Sequence, residues 1–262
     1  MPSFQYDQSA VSSPINLIER FSDAAMASPF RSTVPLLALV KDAWLTFQEI
    51  LTHLGVTTDV VVAFERTVQS PRKVGRPSYT DAMVLSSGRA IAIEAKWTEP
   101  RYPSVANRLS RNSNSNGNSV EFLNGWIDLL QPHATRPIRL EEFSSCVYQV
   151  LHRAASACGE GRTPTLAYCH FAPAPNPAMT NSHYIRDLEE VHDVLGRPQD
   201  FPFFHVHVPI SPTQHFSAIE GLKKGDPNTG RVVKSALCNR TLFSFGKPIV
   251  HRIGKVPDPV QS

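Results

Sequence analysis

The sequence predicts an α/β protein in which helices flank a mixed central sheet. Apolar residues recur at helical spacing over residues 34–54 and again over 140–158. Between and after these stretches lie short segments rich in β-branched residues, which favour strands. Strands interspersed with helices are typical of a sheet that carries helices on its faces. With 262 residues, the chain is long enough for one large domain or for a core domain with extensions.

The predicted elements follow the order helix, three strands, helix, strand, with further elements after them. The first helix, 34–54, ends at Gly55, which is a common helix stop. Residues 86–88 form a short polar connection, so the strands on either side of it are predicted to form an antiparallel hairpin. In chain order, the predicted elements after the first helix are strands at 59–68, 80–85 and 89–97, a helix at 140–158, a strand at 165–171, a helix at 184–195 and a strand at 203–208.

The chain is predicted to divide into three regions. Residues 1–30, rich in Ser and small side chains, predict a poorly ordered tail or a peripheral helix. Residues 31–215 hold the α/β domain, and residues 216–262 form an extension packed on it. Within the domain, segment 104–119 is dense in Ser and Asn and predicts a flexible excursion, either a plain surface loop or a mobile flap over substrate.

Composition narrows the class of protein and its compartment. The formal net charge of +3 is too small to identify an electrostatic nucleic-acid binder by itself. The four cysteines are widely spaced and include no CxxC pair, which argues against a structural zinc site and a disulfide framework. The sequence shows neither the pattern of a leader peptide nor an apolar run of about 18 residues, so we expect a cytoplasmic protein that does not enter a membrane.

Polar residues that can carry chemistry lie near the end of the predicted strand 89–97. Side chains alternate between the two faces of a strand, and one face of this strand is apolar. The other face carries Ala90 and Ala92, followed by Glu94 and Lys96. The small alanines leave open space beside an acid and an amine that point the same way.

Asp81 is predicted to join this pair. It begins the preceding strand, and the hairpin brings it to the end of the partner strand, where Glu94 and Lys96 lie. Two carboxylates at short range are unfavourable unless a cation lies between them. Mg²⁺, with Mn²⁺ able to replace it, suits two carboxylates plus waters and a substrate phosphate. The backbone carbonyl of Ala95 is a further candidate metal ligand.

This set of groups predicts hydrolysis of a phosphodiester bond. A divalent metal withdraws charge from phosphate oxygens and makes a coordinated water a usable nucleophile. Lys96 is expected to position or deprotonate that water and to balance negative charge in the transition state.

The motif formed by Asp81 and the run Ile93-Glu94-Ala95-Lys96 resembles the signature of the PD-(D/E)XK, or restriction-endonuclease-like, nucleases. In that signature an Asp precedes a Glu-x-Lys on a neighbouring strand. The predicted element order is also similar to the common core of the superfamily, and the resemblance covers about residues 34–171. Thr80 departs from the pattern, since the proline of the motif would stand there, next to the Asp.

The resemblance implies a restriction-endonuclease-like core within the predicted α/β domain. Asp81 and Glu94 would be its metal ligands and Lys96 its catalytic lysine. Gln149 matches a polar residue that many members place near that lysine, although an ordinary exposed helix position explains it equally well. Glu49 resembles the acid that completes a second metal site in some members, but exposure on a helix also explains it. Glu65, on the same strand face as Ala63, is an alternative to Glu49.

Three basic residues, Arg72, Lys73 and Arg76, lead into Asp81 and are the first choice for contacts with the phosphates of a nucleic acid. A solvated basic loop is the simpler explanation of such a run. Arg101, beyond the hairpin, also has two explanations: it lies near the site or in a terminal polar loop.

Two histidines, His205 and His207, lie on one face of a predicted strand and have the spacing of a metal pair. No third ligand is identifiable beside them, and the apolar residues around them favour ordinary strand histidines. Glu99, just past the hairpin, is likewise a candidate for the site or for a terminal polar loop.

The predicted function is therefore a metal-dependent DNA endonuclease of restriction, anti-phage defence or repair, in which DNA as the substrate rests on the resemblance. A nuclease that acts on RNA is an alternative that the same site would support. A non-catalytic nucleic-acid-binding or assembly module that retains the fold is an alternative from another class. Cleavage of both strands of a duplex would suit a homodimer, which the sequence does not determine.

Overall fold

The structure is a computed structural model that describes residues 2–57, 59–111, 118–173 and 183–254. It is an α/β fold with a mixed, nine-stranded central sheet and helices on both faces. The predicted fold class is confirmed at this level. None of the helices in the described ranges has the length and apolar character that a membrane-spanning helix needs.

The sheet contains strands from nearly the whole chain. Its order is β2-β1-β3-β4-β5-β6-β7-β8, and β9 also pairs with β7. The pairs β1–β3, β5–β6 and β6–β7 are parallel, and the others are antiparallel. The strands are β1 Ser3–Tyr6, β2 Ser9–Val11, β3 Val61–Val68, β4 Ser78–Leu85, β5 Arg89–Lys96, β6 Thr163–Ala172, β7 Phe203–Pro212, β8 Phe243–Phe245 and β9 Ile249–Arg252.

The helices form two layers. Helices α1, α2, α3, α8 and α9 bury their apolar residues on one side of the sheet, which we call the α2 face, and α4 to α7 bury theirs on the other, the α6 face. Short 3-10 turns at Gln131–His133 and Leu140–Phe143 follow α5. The helices are α1 Pro14–Arg20, α2 Thr33–Asp42, α3 Trp44–His53, α4 Val105–Arg111, α5 Asn118–Leu130, α6 Tyr148–Cys158, α7 His183–Val194, α8 Gln214–Glu220 and α9 Pro227–Asn239.

The predicted alternation of side chains along β5 is confirmed. Ile91 and Ile93 are fully buried among the residues of the α2 face. Ala90 and Ala92 are buried among those of the α6 face. Glu94 and Lys96 continue the second series, so β5 directs both of them to the α6 face beneath α6.

The N-terminal segment is part of the fold rather than a tail. β1 adds a strand parallel to β3, and β2 forms the sheet edge beside it. Helix α1 buries Leu17 and Ile18 completely. The predicted helix 34–54 is two helices, because Ala43, with φ −135° and ψ 48°, breaks it into α2 and α3.

Two further elements differ from the prediction. The predicted helix 140–158 is a 3-10 turn followed by α6, since Val147 adopts an extended conformation before the helix begins. The predicted excursion 104–119 contains α4 and the start of α5, and its residues 112–117 lie outside the described ranges. Helix α5 forms because apolar residues recur at helical spacing along it and pack on the α6 face: Leu123, Trp126, Ile127 and Leu130.

Candidate active site

The strand register places Asp81 beside Glu94 on the α6 face. The antiparallel β4–β5 ladder ends at the pair Ala82–Ile93, and Asp81 and Glu94 are the next residues on the two strands. Beyond that pair the two strands are joined by a side chain, since the backbone N–H of Ala95 donates to Asp81 Oδ2 at 2.9 Å. The predicted convergence of these two acids at the open end of the hairpin is therefore present in the structure.

Glu94 is the centre of a buried hydrogen-bond network. Its Oε1 accepts from Lys96 Nζ at 2.9 Å and from Gln149 Nε2 at 2.5 Å, and its Oε2 accepts from Arg153 Nε. Gln149 Oε1 in turn accepts from Lys96 Nζ at 2.5 Å. The Glu94 and Lys96 residues are only 2% and 3% exposed. Helix α6 thus supplies a guanidinium and an amide that hold the acid and the lysine of β5 in one arrangement.

Charge pairing keeps Glu94 and Lys96 ionised. Burial by itself would raise the pKa of Glu94, but Arg153 and Lys96 outweigh it and lower that pKa. Burial by itself would lower the pKa of Lys96, but Glu94 and Asp81 outweigh it and raise that pKa. A lysine with a raised pKa keeps its proton at neutral pH. As a cation, Lys96 is therefore suited to positioning groups and balancing negative charge.

Asp81 has the opposite electrostatic character. Burial raises its pKa well above the usual range, and the negative charge of Glu94 raises it further. Arg153 and Lys96 lower this pKa but do not cancel the rise. A cation placed next to such a carboxyl would favour loss of its proton, so cation binding at this point would be coupled to proton release.

Glu65 is a third acid next to this pair. The β3–β4 ladder pairs Phe64 with Ala82 and Arg66 with Thr80. Glu65 and Asp81 lie opposite each other between these two pairs and are not paired. Its backbone is left-handed, with φ 51°. Its pKa is raised, first by burial and also by the charge of Glu94. A strained backbone of this kind persists only where the surroundings enforce it, and it is concentrated at functional sites.

The donor set suits a hard divalent cation, although the acids are now paired with the protein's own cations. Asp81, Glu94 and Glu65 offer carboxylate oxygens, which Mg²⁺ prefers. Across the described ranges, however, no group of three or more His, Cys, Asp or Glu side chains is arranged to hold a metal ion. A metal bound by Glu94 would have to compete with Arg153 and Lys96 for its oxygens. The carbonyl of Ala95 as a ligand stays a prediction.

Comparison with known sequences identifies the family. The sequence model of a domain of unknown function, DUF6946, matches residues 10–199, which is more than two thirds of the chain. The chain belongs to the DUF6946 family. No curated protein and no solved structure matches it. The DUF6946 region runs from β2 through α7 and contains the whole Asp81, Glu94 and Lys96 centre with its α6 partners, whereas β1 and β7 to β9 lie outside it.

Two residues of this DUF6946 site were not predicted from the sequence. Arg153 donates from Nη1 to Ser78 Oγ at 2.7 Å, besides its bond to Glu94. It lies four residues after Gln149, so the helical repeat placed both on one side of α6. Tyr168 is paired with Glu94 in the β5–β6 register, and its buried hydroxyl has no hydrogen-bond partner among the described residues. The alternation of β6 could have indicated Tyr168, but the pairing of two strands so distant in sequence could not be derived.

The structure does not bring Glu49 to the site. Glu49 belongs to α3, whose buried residues Phe47, Ile50 and Leu51 pack on the α2 face. The sheet therefore separates Glu49 from Asp81 and Glu94. The charged groups that act most strongly on Asp81 include Glu65 instead. Of the two alternatives for an additional acid, the structure thus favours Glu65.

The three basic residues before Asp81 have different environments. Arg72 forms a two-pronged ion pair with Asp128, at 2.6 and 3.0 Å, and a further one with Glu121 at 3.1 Å. Its guanidinium therefore fixes the loop to α5, and a phosphate contact by Arg72, which would replace these surface pairs, stays a prediction. Lys73 has a left-handed backbone with φ 55°, and Arg76 is exposed. A phosphate contact by either of these two stays a prediction.

Glu99 and Arg101 hold the loop after β5 in place. Glu99 accepts hydrogen bonds from the backbone N–H groups of Ser32, at 2.6 Å, and Trp97, at 3.0 Å. Arg101 is paired with the buried Asp187 of α7, with a shortest N–O distance of 2.5 Å. Tyr102 follows Arg101 in the chain, and the centre of its ring lies 4.9 Å from Lys96 Nζ. The first two residues position the loop, and Tyr102 covers the lysine.

The histidines of β7 join a third histidine on the α6 face. The ring of His170 lies 5.9 Å from those of His205 and His207. Burial lowers the pKa of His205 to about 3 and that of His170 to about 4, so both are neutral near pH 7. These rings do not form a metal-binding group within the described ranges. They are packed strand histidines next to the candidate site.

Replacing Glu65 by glycine is expected to stabilise the metal-free protein. Glycine removes the left-handed strain, which costs about 1–2 kcal/mol for a residue with a side chain. It also removes a carboxylate that is buried close to Glu94. Urea unfolding in EDTA would measure the gain, with Lys73→Gly as the matched control, since Lys73 has a similar φ in an exposed loop. A loss of stability at position 65 would show that the Glu65 side chain holds the strands together.

Proposed function

We propose that the protein is a metal-dependent phosphodiesterase that hydrolyses DNA. The observation that supports this most directly is the position of Asp81, Glu94 and Lys96 on one face of adjacent antiparallel strands. Asp81 and Glu94 follow the last pair of the β4–β5 ladder, and Lys96 Nζ lies 2.9 Å from Glu94 Oε1. The resemblance to the PD-(D/E)XK motif, with a restriction-endonuclease-like core, supports phosphodiester hydrolysis, and it alone favours DNA.

The residues of the chain have distinct roles in this proposal. Asp81 and Glu94 would hold Mg²⁺ or Mn²⁺, with Glu65 as the nearest additional acid. When bound, the metal would withdraw charge from the phosphate and lower the pKa of water. Lys96, which keeps its proton, would orient the water and balance the negative charge that develops on the phosphate. Gln149 holds the lysine by a bond of 2.5 Å and would keep it in position.

Arg153 gives the centre a second cation. Because Arg153 and Lys96 both donate to Glu94, a metal bound there would compete with them and could displace one of them. The released cation would then be free to contact a phosphate oxygen of the substrate. Arg is well matched to this task because its guanidinium can donate two parallel hydrogen bonds.

Incubation of the full chain with plasmid and linear DNA in Mg²⁺ or Mn²⁺ tests the proposal. The wild-type protein is expected to cleave DNA, with no cleavage in EDTA. Lys96→Ala is expected to lower the cleavage rate by at least about 10²-fold, because one preorganised charge-stabilising group contributes this much. Lys247→Ala, which changes an exposed lysine between β8 and β9, is the matched control. DNA that stays intact across all metals, or equal cleavage by Lys96→Ala, would refute the proposed activity.

A non-catalytic nucleic-acid-binding module is the second candidate function. It is favoured by the complete pairing of Glu94, since a buried acid that binds a guanidinium, an ammonium and an amide is also a structural ion network. This alternative expects nucleic-acid binding that neither EDTA nor Glu94→Gln changes.

The same cleavage assay with single-stranded RNA in place of DNA tests RNA as the substrate.

A further inference from the structure

A half-open pocket of about 270 Å³ lies on the α6 side of the molecule, between the loop before β4 and helices α4 and α5. Its walls combine apolar and cationic groups. Phe122, Leu109 and Gly75 supply apolar surface, and Arg76 and Arg108 supply two guanidinium groups. A second pocket, of about 230 Å³ beside Trp44, lacks this combination, since Asp59 lines it and no lysine or arginine does.

The two arginines of this pocket are available for an anion. Neither Arg76 nor Arg108 takes part in an ion pair among the described residues. Arg72, only a few residues away, is paired with two carboxylates of α5. Arg108 is instead held by stacking, with its guanidinium carbon 3.9 Å from the ring centre of Tyr148. A stacked guanidinium keeps its N–H groups free for a further partner.

One wall of the pocket is the backbone of Gly75, which has no side chain. Gly75 has φ 76°, and a Cβ on it would lie 2.4 Å from a ring carbon of Phe122. The loop can therefore approach the Phe122 ring this closely only with glycine at position 75. The close approach fixes one wall of the pocket and the position of Arg76, which follows directly.

Arg108 connects the pocket with the first turn of α6, which holds the candidate active site. Tyr148, on which Arg108 stacks, immediately precedes Gln149, which binds both Lys96 and Glu94. A nucleotide held by Arg108 would therefore lie close to a phosphodiester group at Lys96.

We propose that this pocket binds one nucleotide of a single-stranded segment, next to the phosphodiester group at the active site. The base would pack against Phe122 and Leu109, and Arg76 and Arg108 would contact the adjoining phosphates. Aromatic side chains with arginines are the usual means of binding an unpaired base without regard to sequence. The inference rests on the proposed function only for the identity of the ligand as nucleic acid.

Fluorescence anisotropy with a labelled 12-nucleotide single-stranded DNA of mixed sequence tests the inference, using the full chain in EDTA so that no cleavage occurs. Arg108→Gln and Arg76→Gln are each expected to weaken binding by about tenfold, the low end of the effect of losing a hydrogen bond to a charged group. Each is also expected to reduce the slope of log K against log salt by about 0.7, the value for one phosphate contact on a single strand. Arg197→Gln, which changes an exposed arginine that follows α7 and pairs with Asp193, is the control.

A strand of the same length with abasic sites separates a base pocket from a plain basic patch. The wild-type protein is expected to bind the abasic strand less tightly, because that strand lacks the base that would pack against Phe122 and Leu109. Equal binding of the two strands, or binding by both pocket variants that equals that of Arg197→Gln, would overturn the inference. Specific binding without any cleavage in Mg²⁺ would refute the proposed hydrolysis and leave the pocket standing. Cleavage that is accompanied by unchanged binding in both variants would refute the pocket alone.

Discussion

Asp81→Asn is expected to abolish DNA cleavage and at the same time to stabilise the metal-free protein. The variant loses one of the two carboxylates proposed to hold the metal, which contributes several kcal/mol of transition-state stabilisation, so we expect a loss of about 10³-fold or more. Asparagine keeps the side-chain oxygen that accepts the Ala95 N–H, so the end of the hairpin stays intact. It removes a carboxyl whose ionisation is opposed by burial and by Glu94.

The gain in stability has a predicted dependence on pH. Because the pKa of Asp81 is raised in the folded state, its contribution to stability is fully present below its pKa in the unfolded chain and is lost as the pH rises through the folded value. Asp81→Asn removes this loss. Urea unfolding in EDTA should therefore give similar stabilities at pH 4 and a gain of about 1–3 kcal/mol for the variant at pH 8, the usual cost of a poorly compensated buried polar group.

Metal addition supplies the decisive comparison. Mg²⁺ should raise the melting temperature of the wild-type protein, since a ligand that binds only the folded state stabilises it. It should not do so for Asp81→Asn. The interpretation of Asp81 as a metal ligand would be abandoned if Mg²⁺ stabilised both proteins equally. A variant less stable than wild type at pH 8 would show that the carboxylate has a structural role.

Arg153→Met is expected to produce the largest loss of folding stability among single changes at the site. The substitution removes the guanidinium that binds Glu94 and Ser78 inside the protein and leaves a buried acid with one of its two cations. Removal of one partner from a buried ion pair costs about 3–5 kcal/mol, because the remaining charge is left without compensation. Denaturant unfolding at pH 7 measures the loss.

A double variant separates the charge effect from lost packing. Glu94→Gln in the Arg153→Met background removes the uncompensated charge, so we expect it to recover a large part of the stability. Arg136→Met, which breaks an exposed pair with Glu142, is the control for loss of a surface ion pair and should change the stability much less. The account of Glu94 as a buried, fully paired acid would be contradicted if Arg153→Met lost no more stability than Arg136→Met. It would also be contradicted if the double variant recovered no stability.

The centre of the candidate site could be predicted because it depends on local rules. The two-residue period of β5 determined that Glu94 and Lys96 share a face, and the short turn before Arg89 determined that Asp81 returns to meet them. Gln149 was proposed through the resemblance, and the structure shows it in contact with Lys96. No long-range pairing had to be known for any of these positions.

The surroundings of the site depend on contacts between distant segments and could not be derived in the same way. Arg153 shares the helical repeat of Gln149, but only the packing of α6 on the sheet selects which side of the helix is buried. The left-handed backbone of Glu65 carries no composition signal, since left-handed positions usually favour glycine or asparagine. Helix α5 was missed because the Ser and Asn residues before it indicated a loop, although its apolar spacing was present in the sequence.

The sheet extends beyond the family boundaries on both sides, and this affects how far the protein can be shortened. β1 lies before residue 10, and β7, β8 and β9 lie after residue 199. A fragment cut to the matched region would leave β3 and β6 with bare backbone edges in place of their parallel neighbours. Unpaired edges of this kind template association between molecules. A fragment limited to residues 10–199 is therefore expected to associate more readily than the full chain, in which the outer strands cover these two edges.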